Sequence, residues 1–379
     1  MQEVFCILFE KIMDTSFSIQ TVLRQFGFDL PISTYGNGHI NTTYIVDTTP
    51  KCILQRVNSD VFRHPEQVME NISLVTEHLR KKITEAGGDP LRETLTLLPT
   101  VDGKPYYVAP DGSCFRLYRF INGTVSYDTA ETPELFAASA RAFGKFQKML
   151  ADFPSEKLYE TIPHFHDTGD RLKNFRASVI ANRSGKASSV QPEIDFVLSR
   201  ADQVTTITDA IAAGIIPIRV THNDTKLNNV MLDPKTGEGV CVVDLDTVMP
   251  GSLLYDYGDS LRFGASTGAE DEQDLSKISF DLTYFEAYTD AFLSELADTI
   301  TPAEAELLPF SAKLMTLECG MRFLADHIDG DVYYRIHRED HNLDRCRTQF
   351  KLVADMESKM DQMKAIVAKC CEKYGVRMK

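Results

Sequence analysis

The chain is 379 residues long, which points to two domains or lobes rather than one core. Its 43% apolar and 25% charged content is that of an ordinary soluble globular enzyme. A formal charge of −15 argues against a nucleic-acid partner, and any anionic ligand would need a local basic site and a metal to overcome that field. The eight cysteines form no CxxC pair and no Cys/His group at zinc spacing, so they are expected as reduced core thiols of a cytoplasmic protein. The apolar run at 4–9 is too short to span a membrane and lacks the basic flank of a signal peptide.

In chain order, residues 17–30 carry a helical stripe (Ile19, Val22, Leu23, Phe26) that ends near Gly27 and Pro31. Residues 35–47 open on a turn with Gly36 and Gly38 and continue as an alternating strand. Glycines there would let backbone N–H groups approach a phosphate, although the same turn also serves ordinary hairpins. No helix follows the turn, which excludes a dinucleotide-binding fingerprint. Residues 51–58 read as the next strand, with Arg56 near its end offering a planar, permanently charged clamp for a phosphate. Pro65 opens a helix through Lys82 with Val68, Ile72, Val75 and Leu79 on one face. Glu70 and Glu77 lie one heptad apart on it; Glu70 is the expected partner of Arg56, and Glu77 belongs to a solvated face. Short strands are expected at 95–99 and 106–108. Residues 114–123 form an apolar strand that runs into a linker.

From Pro133 the pattern turns helical, and further helices are expected at 168–183 and 191–214. His164 and His166 lie two apart in a loop without other clustered ligands, so no metal is read there. Residues 219–246 read as a strand, a polar loop, a short strand, a turn at 234–237 and a second apolar strand ending in acid. In this stretch His222, Asp224 and Asn229 have the spacing of a kinase catalytic loop, and Asp244 follows where a magnesium-binding Asp belongs. Phosphoryl transfer needs a carboxylate to orient and deprotonate a hydroxyl and oxygen ligands to hold Mg²⁺ against phosphates; this one stretch supplies both. A polar hairpin loop would explain one or two such residues, but not the ordered set.

Asp256 and Asp259 follow a Gly turn and are expected to brace that loop. The remainder reads as helices at 276–296, 302–329 and 343–374, the last with a core stripe. Residues 320–342 gather aromatic, imidazole, guanidinium and carboxylate groups, a set suited to a polyhydroxylated ligand.

Several motifs together resemble the kinase-like small-molecule phosphotransferases, the group of aminoglycoside and choline kinases. They are Gly-His-Ile-Asn-x-Thr-Tyr (38–44), Leu-Gln-Arg-Val-Asn (54–58), Thr-His-Asn-Asp-Thr-Lys-Leu-Asn-Asn-Val (221–230) and Val-Asp-Leu-Asp-Thr-Val-Met-Pro-Gly (243–251). Arg-Phe-Leu-x-Asp (322–326), Gly-Asp-Val-Tyr (330–333) and His-Asn-Leu-Asp-Arg (341–345) make the chain similar to the N-acetylhexosamine 1-kinase branch of that group.

The resemblance implies a two-lobed, protein-kinase-like α+β fold. A small antiparallel β lobe with one main helix (1–120) would take the nucleotide, and a larger, mostly helical lobe (121–379) would carry catalysis and the acceptor. It implies ATP and Mg²⁺ as cofactors and an amino sugar, GlcNAc or GalNAc, phosphorylated at its anomeric hydroxyl. By residue, Asp224 is the base and Lys226 approaches the γ-phosphate, while Asn229 and Asp244 hold Mg²⁺. Gly36, Gly38, His39, Asn41, Arg56 and Glu70 line the nucleotide, and backbone groups of Arg119, Phe120 and Ile121 meet the adenine edge. His39, Arg322 and Tyr333 contact the sugar. Asp-Leu-Asp replaces the Asp-Phe-Gly of protein kinases, which argues against a protein substrate. The protein is expected to be a monomer or weak homo-oligomer without a membrane partner. A kinase of another small alcohol (aminoglycoside, choline, homoserine) and a catalytically silent nucleotide binder are the alternatives.

Overall fold

The structure, a computed structural model, describes residues 18–36 and 40–378. The apolar run at 4–9, Cys6, Gly38 and His39 lie outside the described residues. The chain divides into two compact units after Asn122.

In the first unit, helix α1 (Ile19–Gln25) starts at Ser18, whose hydroxyl accepts the Thr21 N–H. Strands β1 (Ile32–Thr34), β2 (Thr42–Val46) and β3 (Cys52–Arg56) precede the long helix α2 (Pro65–Glu85). Strands β4 (Leu97–Leu98), β5 (Tyr107–Val108) and β6 (Cys114–Arg119) follow it. The sheet runs β1-β2-β3-β6-β4, with β5 also on β6, and every pairing is antiparallel. Val22, Leu23 and Phe26 of α1 pack with Val46, Cys52, Leu54, Phe115 and Leu117.

Strand parity decides what lies on each face. Side chains alternate along a strand, and Leu54 pairs with Leu117, Gln55 with Arg116 and Arg56 with Phe115. Leu54 and Arg56 therefore share the α1 face. Gln55 and Arg116 lie on the other, where Arg116 reaches Met69 of α2.

In the second unit, helix α3 (Pro133–Met149) is capped by Thr132, and helices α4 (Thr168–Ala181), α5 (Gln191–Leu198) and α6 (Thr206–Ala212) follow. Sequence periodicity predicts one helix over 191–214; the chain instead breaks between Leu198 and Thr206. Arg200 in the break stacks on Phe196 at 3.6 Å and pairs with Glu357 at 2.6 Å, so long-range contacts override the local pattern.

Two short antiparallel ribbons come next: β7 (Arg219–Thr221) with β10 (Met249–Gly251), and β8 (Val230–Leu232) with β9 (Gly239–Val242). Helix α7 (Leu253–Gly264) leads to α8 (Leu282–Leu296). The expected start of α8 at 276 shifts because Asp281 caps it, accepting the Thr283 N–H at 2.7 Å, while Ser266 bridges Phe280 in extended backbone. Helix α9 (Pro302–Asp329) begins in a Thr301/Glu304 capping box and packs along α10 (His341–Tyr374). The described cysteines are all buried and none is in a disulfide. No helix among the described residues is long and apolar enough to cross a membrane.

Candidate active site

The loop between β7 and β8 has little freedom, because α7 meets its backbone group by group. The Asp256 carboxylate accepts the N–H of His222 at 2.9 Å and of Asn223 at 2.7 Å, and also the Gln147 amide. Asp259 accepts the Thr225 N–H at 3.1 Å, and the Ser260 hydroxyl donates to the Thr225 carbonyl at 2.8 Å. Asn223 adopts a left-handed φ of 64°, which Asn tolerates better than most residues, and its amide donates to Thr247 O at 2.9 Å. Both aspartates expected as braces thus hold the loop backbone, and Asp259 also pairs with Arg262 at 2.9 Å. Burial pushes the Asp256 carboxyl above the ordinary range, although its N–H donors pull the other way. His222 is buried edge-on to Phe143 and Phe146. Its Nε2–H donates to Val243 O at 2.9 Å, and its Nδ1 accepts the Asp224 N–H at 3.3 Å.

This frame presents Asp224. Its Oδ1 pairs with Lys226 Nζ at 2.9 Å, and its Oδ2 and carbonyl accept the Asn229 amide at 3.3 and 2.8 Å. The Asp224 charge raises the Lys226 pKa against the opposing effect of burial, so the ammonium stays charged. Val243 N–H donates to Asn229 O at 2.9 Å, which places Asp244 one residue beyond Asn229's partner. Asp244 is exposed and left-handed (φ 60°) where the strand turns into the short helical turn Leu245–Thr247. Asp224, Lys226 and Asn229 are therefore in mutual contact, with Asp244 beside them along the ribbon.

Among the described residues no group of three or more His, Cys, Asp or Glu is arranged to hold a metal by itself. The donors present fit Mg²⁺ nonetheless, since that ion takes one or two protein carboxylates and completes its shell with phosphates and water. The Asn229 nitrogen is committed to Asp224, which leaves its amide oxygen for a cation.

Arg322 and Tyr333, both expected against the acceptor, behave differently. The Arg322 guanidinium lies 5.8 Å from the Phe165 ring and 5.7 Å from the Tyr334 ring. Burial lowers its pKa, but Tyr334, Cys319 and Glu318 outweigh that and hold it firmly cationic. Tyr333 is 65% exposed and touches Tyr334 edge-on, so the ring against Arg322 belongs to the next residue. Asp326 shapes this turn by accepting the N–H groups of Val332, Tyr333 and Tyr334 and the Asn342 amide. Arg338 and His341 are spent on Asp271, at 2.8 and 2.9 Å.

His166, passed over in sequence, is tied directly to the β7–β8 loop. Its Nδ1 meets Glu318 at 2.8 Å and its Nε2 donates to the Asn223 carbonyl at 3.1 Å; Thr168 donates to Glu318 at 2.6 Å. Burial would neutralise this imidazole, but Glu318 raises its pKa, and His166 in turn lowers that of Glu318 against burial. The partners lie 152 residues apart, and no local pattern announces such a pair.

The nucleotide-side expectations fare unevenly. Gly36 has φ 72° with open space around it, as a close backbone approach requires. Asn41 Oδ1 accepts the Asn58 N–H at 3.0 Å and so holds the hairpin. The Arg56–Glu70 pair is corrected: Arg56 donates to Ser113 at 2.6 Å and lies 3.8 Å from Asp111, while Glu70 is exposed on α2. Parity is the reason, because Arg56 shares the α1 face and the cation that reaches α2 is the buried Arg116, bonded to Gln55 at 2.9 and 3.0 Å. The N–H groups of Arg119 and Phe120 donate to Thr96 O and Lys51 O at 2.9 Å each, so a contact to an adenine edge would not use these two donors; Ile121 is buried.

A model of the phosphotransferase enzyme family matches residues 31–296. Several solved structures share the architecture. An aminoglycoside phosphotransferase from Alicyclobacillus acidocaldarius has TM-score 0.58 and 13% identity, over 95% of this chain and 97% of that one. Amicoumacin kinase in complex with AMP-PNP and Ca²⁺ has TM-score 0.58 and 14% identity, over 92% and 96%. A choline/ethanolamine kinase family protein from Mesorhizobium loti has TM-score 0.51 and 19% identity, over 91% and 93%. The likeness is one of fold: α+β and kinase-like, with an antiparallel-sheet N-terminal lobe and a mostly helical remainder.

Proposed function

The chain belongs to the phosphotransferase enzyme family, and within it we propose a kinase that transfers the γ-phosphoryl group of ATP to the anomeric hydroxyl of N-acetylhexosamines, GlcNAc or GalNAc. The observation that carries the reading is the Asp224 carboxylate, fixed between Lys226 and Asn229 in a loop whose backbone is pinned by Asp256 and Asp259.

Asp224 orients the acceptor hydroxyl and takes its proton as the oxygen bonds to phosphorus. The bond from phosphorus to the bridging oxygen breaks and ADP leaves with the electron pair. Lys226 approaches the γ-phosphate from its place beside Asp224. Asn229 and Asp244 would hold Mg²⁺, which supplies charge neutralisation on the phosphates. The first unit is the proposed nucleotide lobe, with Gly36 at the start of its β1–β2 connection. The second carries catalysis and the acceptor, with Arg322 stacked between Phe165 and Tyr334 as the donor fork. A permanently charged guanidinium at that place disfavours the cationic acceptors of choline or aminoglycoside kinases.

The test is incubation with Mg-ATP and a panel of hexoses, amino sugars, choline, homoserine and aminoglycosides, followed by mass spectrometry and ³¹P NMR. GlcNAc 1-phosphate or GalNAc 1-phosphate is expected. A phosphomonoester at any other position, or on another acceptor alone, would overturn the sugar assignment.

A further inference from the structure

The second unit encloses a cavity of about 340 Å³, within the size range of small-molecule sites. It borders the catalytic loop. Leu227, which lines it, opens the short helical turn carrying Asn229, and Ser260, also in its wall, donates to the Thr225 carbonyl. Thr267 and Ala269 are exposed at its mouth.

Two features of the lining define what fits. Gln349 on α10 is 2% exposed, and its Oε1 has no hydrogen-bond partner among the described residues. A buried amide oxygen without a donor is unfavourable, so a ligand N–H or O–H there would relieve it. The second is charge. Arg262 in the wall pairs with Glu270, also in the wall, at 2.8 Å and with the buried Asp259 behind it at 2.9 Å, so its charge is already matched and the lining offers no spare cation to an anion. With Phe136, Phe263 and Leu227 as apolar walls, the fitting ligand is neutral, has an apolar face and carries an amide or hydroxyl donor.

Resting on the functional reading above, we infer that this cavity takes the acetamido side of the acceptor, with Gln349 as the residue that distinguishes an N-acetylated sugar from its plain hexose. A primary carboxamide offers one acceptor and two donors, the complement of the N–H and C=O of a secondary amide. Without it, the acetamido group enters the pocket with its own polar atoms unpaired.

The experiment compares kcat/KM for GlcNAc and glucose in wild type, Gln349→Leu and Ala269→Trp, with KM for ATP measured alongside. Gln349→Leu should lower the GlcNAc-to-glucose ratio of kcat/KM by at least roughly tenfold, through KM for the sugar, with KM for ATP within about twofold of wild type. Ala269→Trp, at an exposed position, plugs the mouth without touching the core and should raise KM for GlcNAc by a similar factor. This second variant keeps the test open if Gln349→Leu folds poorly. A wild-type enzyme that phosphorylates no amino sugar overturns the functional reading and this inference with it. A wild-type enzyme that does so, with an unchanged ratio in Gln349→Leu or unchanged sugar KM in Ala269→Trp, overturns the cavity assignment alone.

Discussion

Glu318→Leu removes the carboxylate that holds His166 and Thr168 behind the proposed catalytic loop. His166 is only 8% exposed and Glu318 1%, so the substitution strands a buried imidazolium and a buried hydroxyl together. Breaking a buried ion pair from one side costs about 3–5 kcal/mol. In a domain of this size, about 2–4 °C per kcal/mol makes that a fall in Tm of roughly 6–20 °C. His166→Phe strands the opposite charge and should cost a similar amount. Removing both partners leaves neither charge buried, so Glu318→Leu/His166→Phe should be far less destabilised than the two losses summed, a coupling a double-mutant cycle reads directly. Urea denaturation at neutral pH with all four proteins is the assay.

The pH dependence follows from the two shifts. His166 has a raised folded pKa, so its contribution is complete below the ordinary 6.5 and is lost as pH climbs through the raised value. Glu318 has a lowered folded pKa, so its contribution is complete above the ordinary 4.5 and is lost as pH drops through the lowered value. The stability advantage of wild type over the double variant should therefore be greatest between those two ordinary values. Additive single-variant losses, or an advantage that does not change with pH, would refute the ion-pair reasoning. Turnover should fall in both single variants, because His166 also fixes the Asn223 carbonyl one residue before Asp224.

Asp224→Asn should cut kcat by about 10²–10⁴-fold while ATP affinity holds, the share expected of a general base; near-wild-type turnover would contradict the role. Asp244→Ala should weaken binding of Mg-ATP in calorimetry and leave thermal stability without ligand nearly unchanged, since that residue is exposed. Glu70→Gln should leave Tm and KM for ATP at wild-type values, because Glu70 is exposed and unpaired with Arg56; a large loss in ATP use would restore the pairing rejected above. Gly258→Ala should destabilise by about 1–3 kcal/mol in denaturant titrations, because a Cβ there would come 2.6 Å from Ser311 O and Met315 Cγ across the α7–α9 contact.

The proposed catalytic stretch can be read in sequence because its residues are local. His222, Asp224, Lys226 and Asn229 fall within one loop, and a single antiparallel pairing, Val230 with Val242, brings Asp244 alongside. Long amphipathic helices such as α9 were equally legible, since caps and a 3.6-residue period lie in consecutive residues. What sequence alone misplaced depended on non-local geometry. Whether Arg56 or Arg116 faces α2 is a matter of strand parity and register, and a one-residue change of phase exchanges the faces. Whether Arg119 and Phe120 keep their N–H groups depends on which strands arrive beside them. The His166–Glu318 pair, the break after Leu198 and the unpartnered Gln349 Oε1 arise only where distant segments meet. Local order thus determined the proposed machinery of phosphoryl transfer; tertiary packing decided which charges brace it and which surfaces remain for a guest, because burial and pairing are properties of neighbours that the chain order does not adjoin.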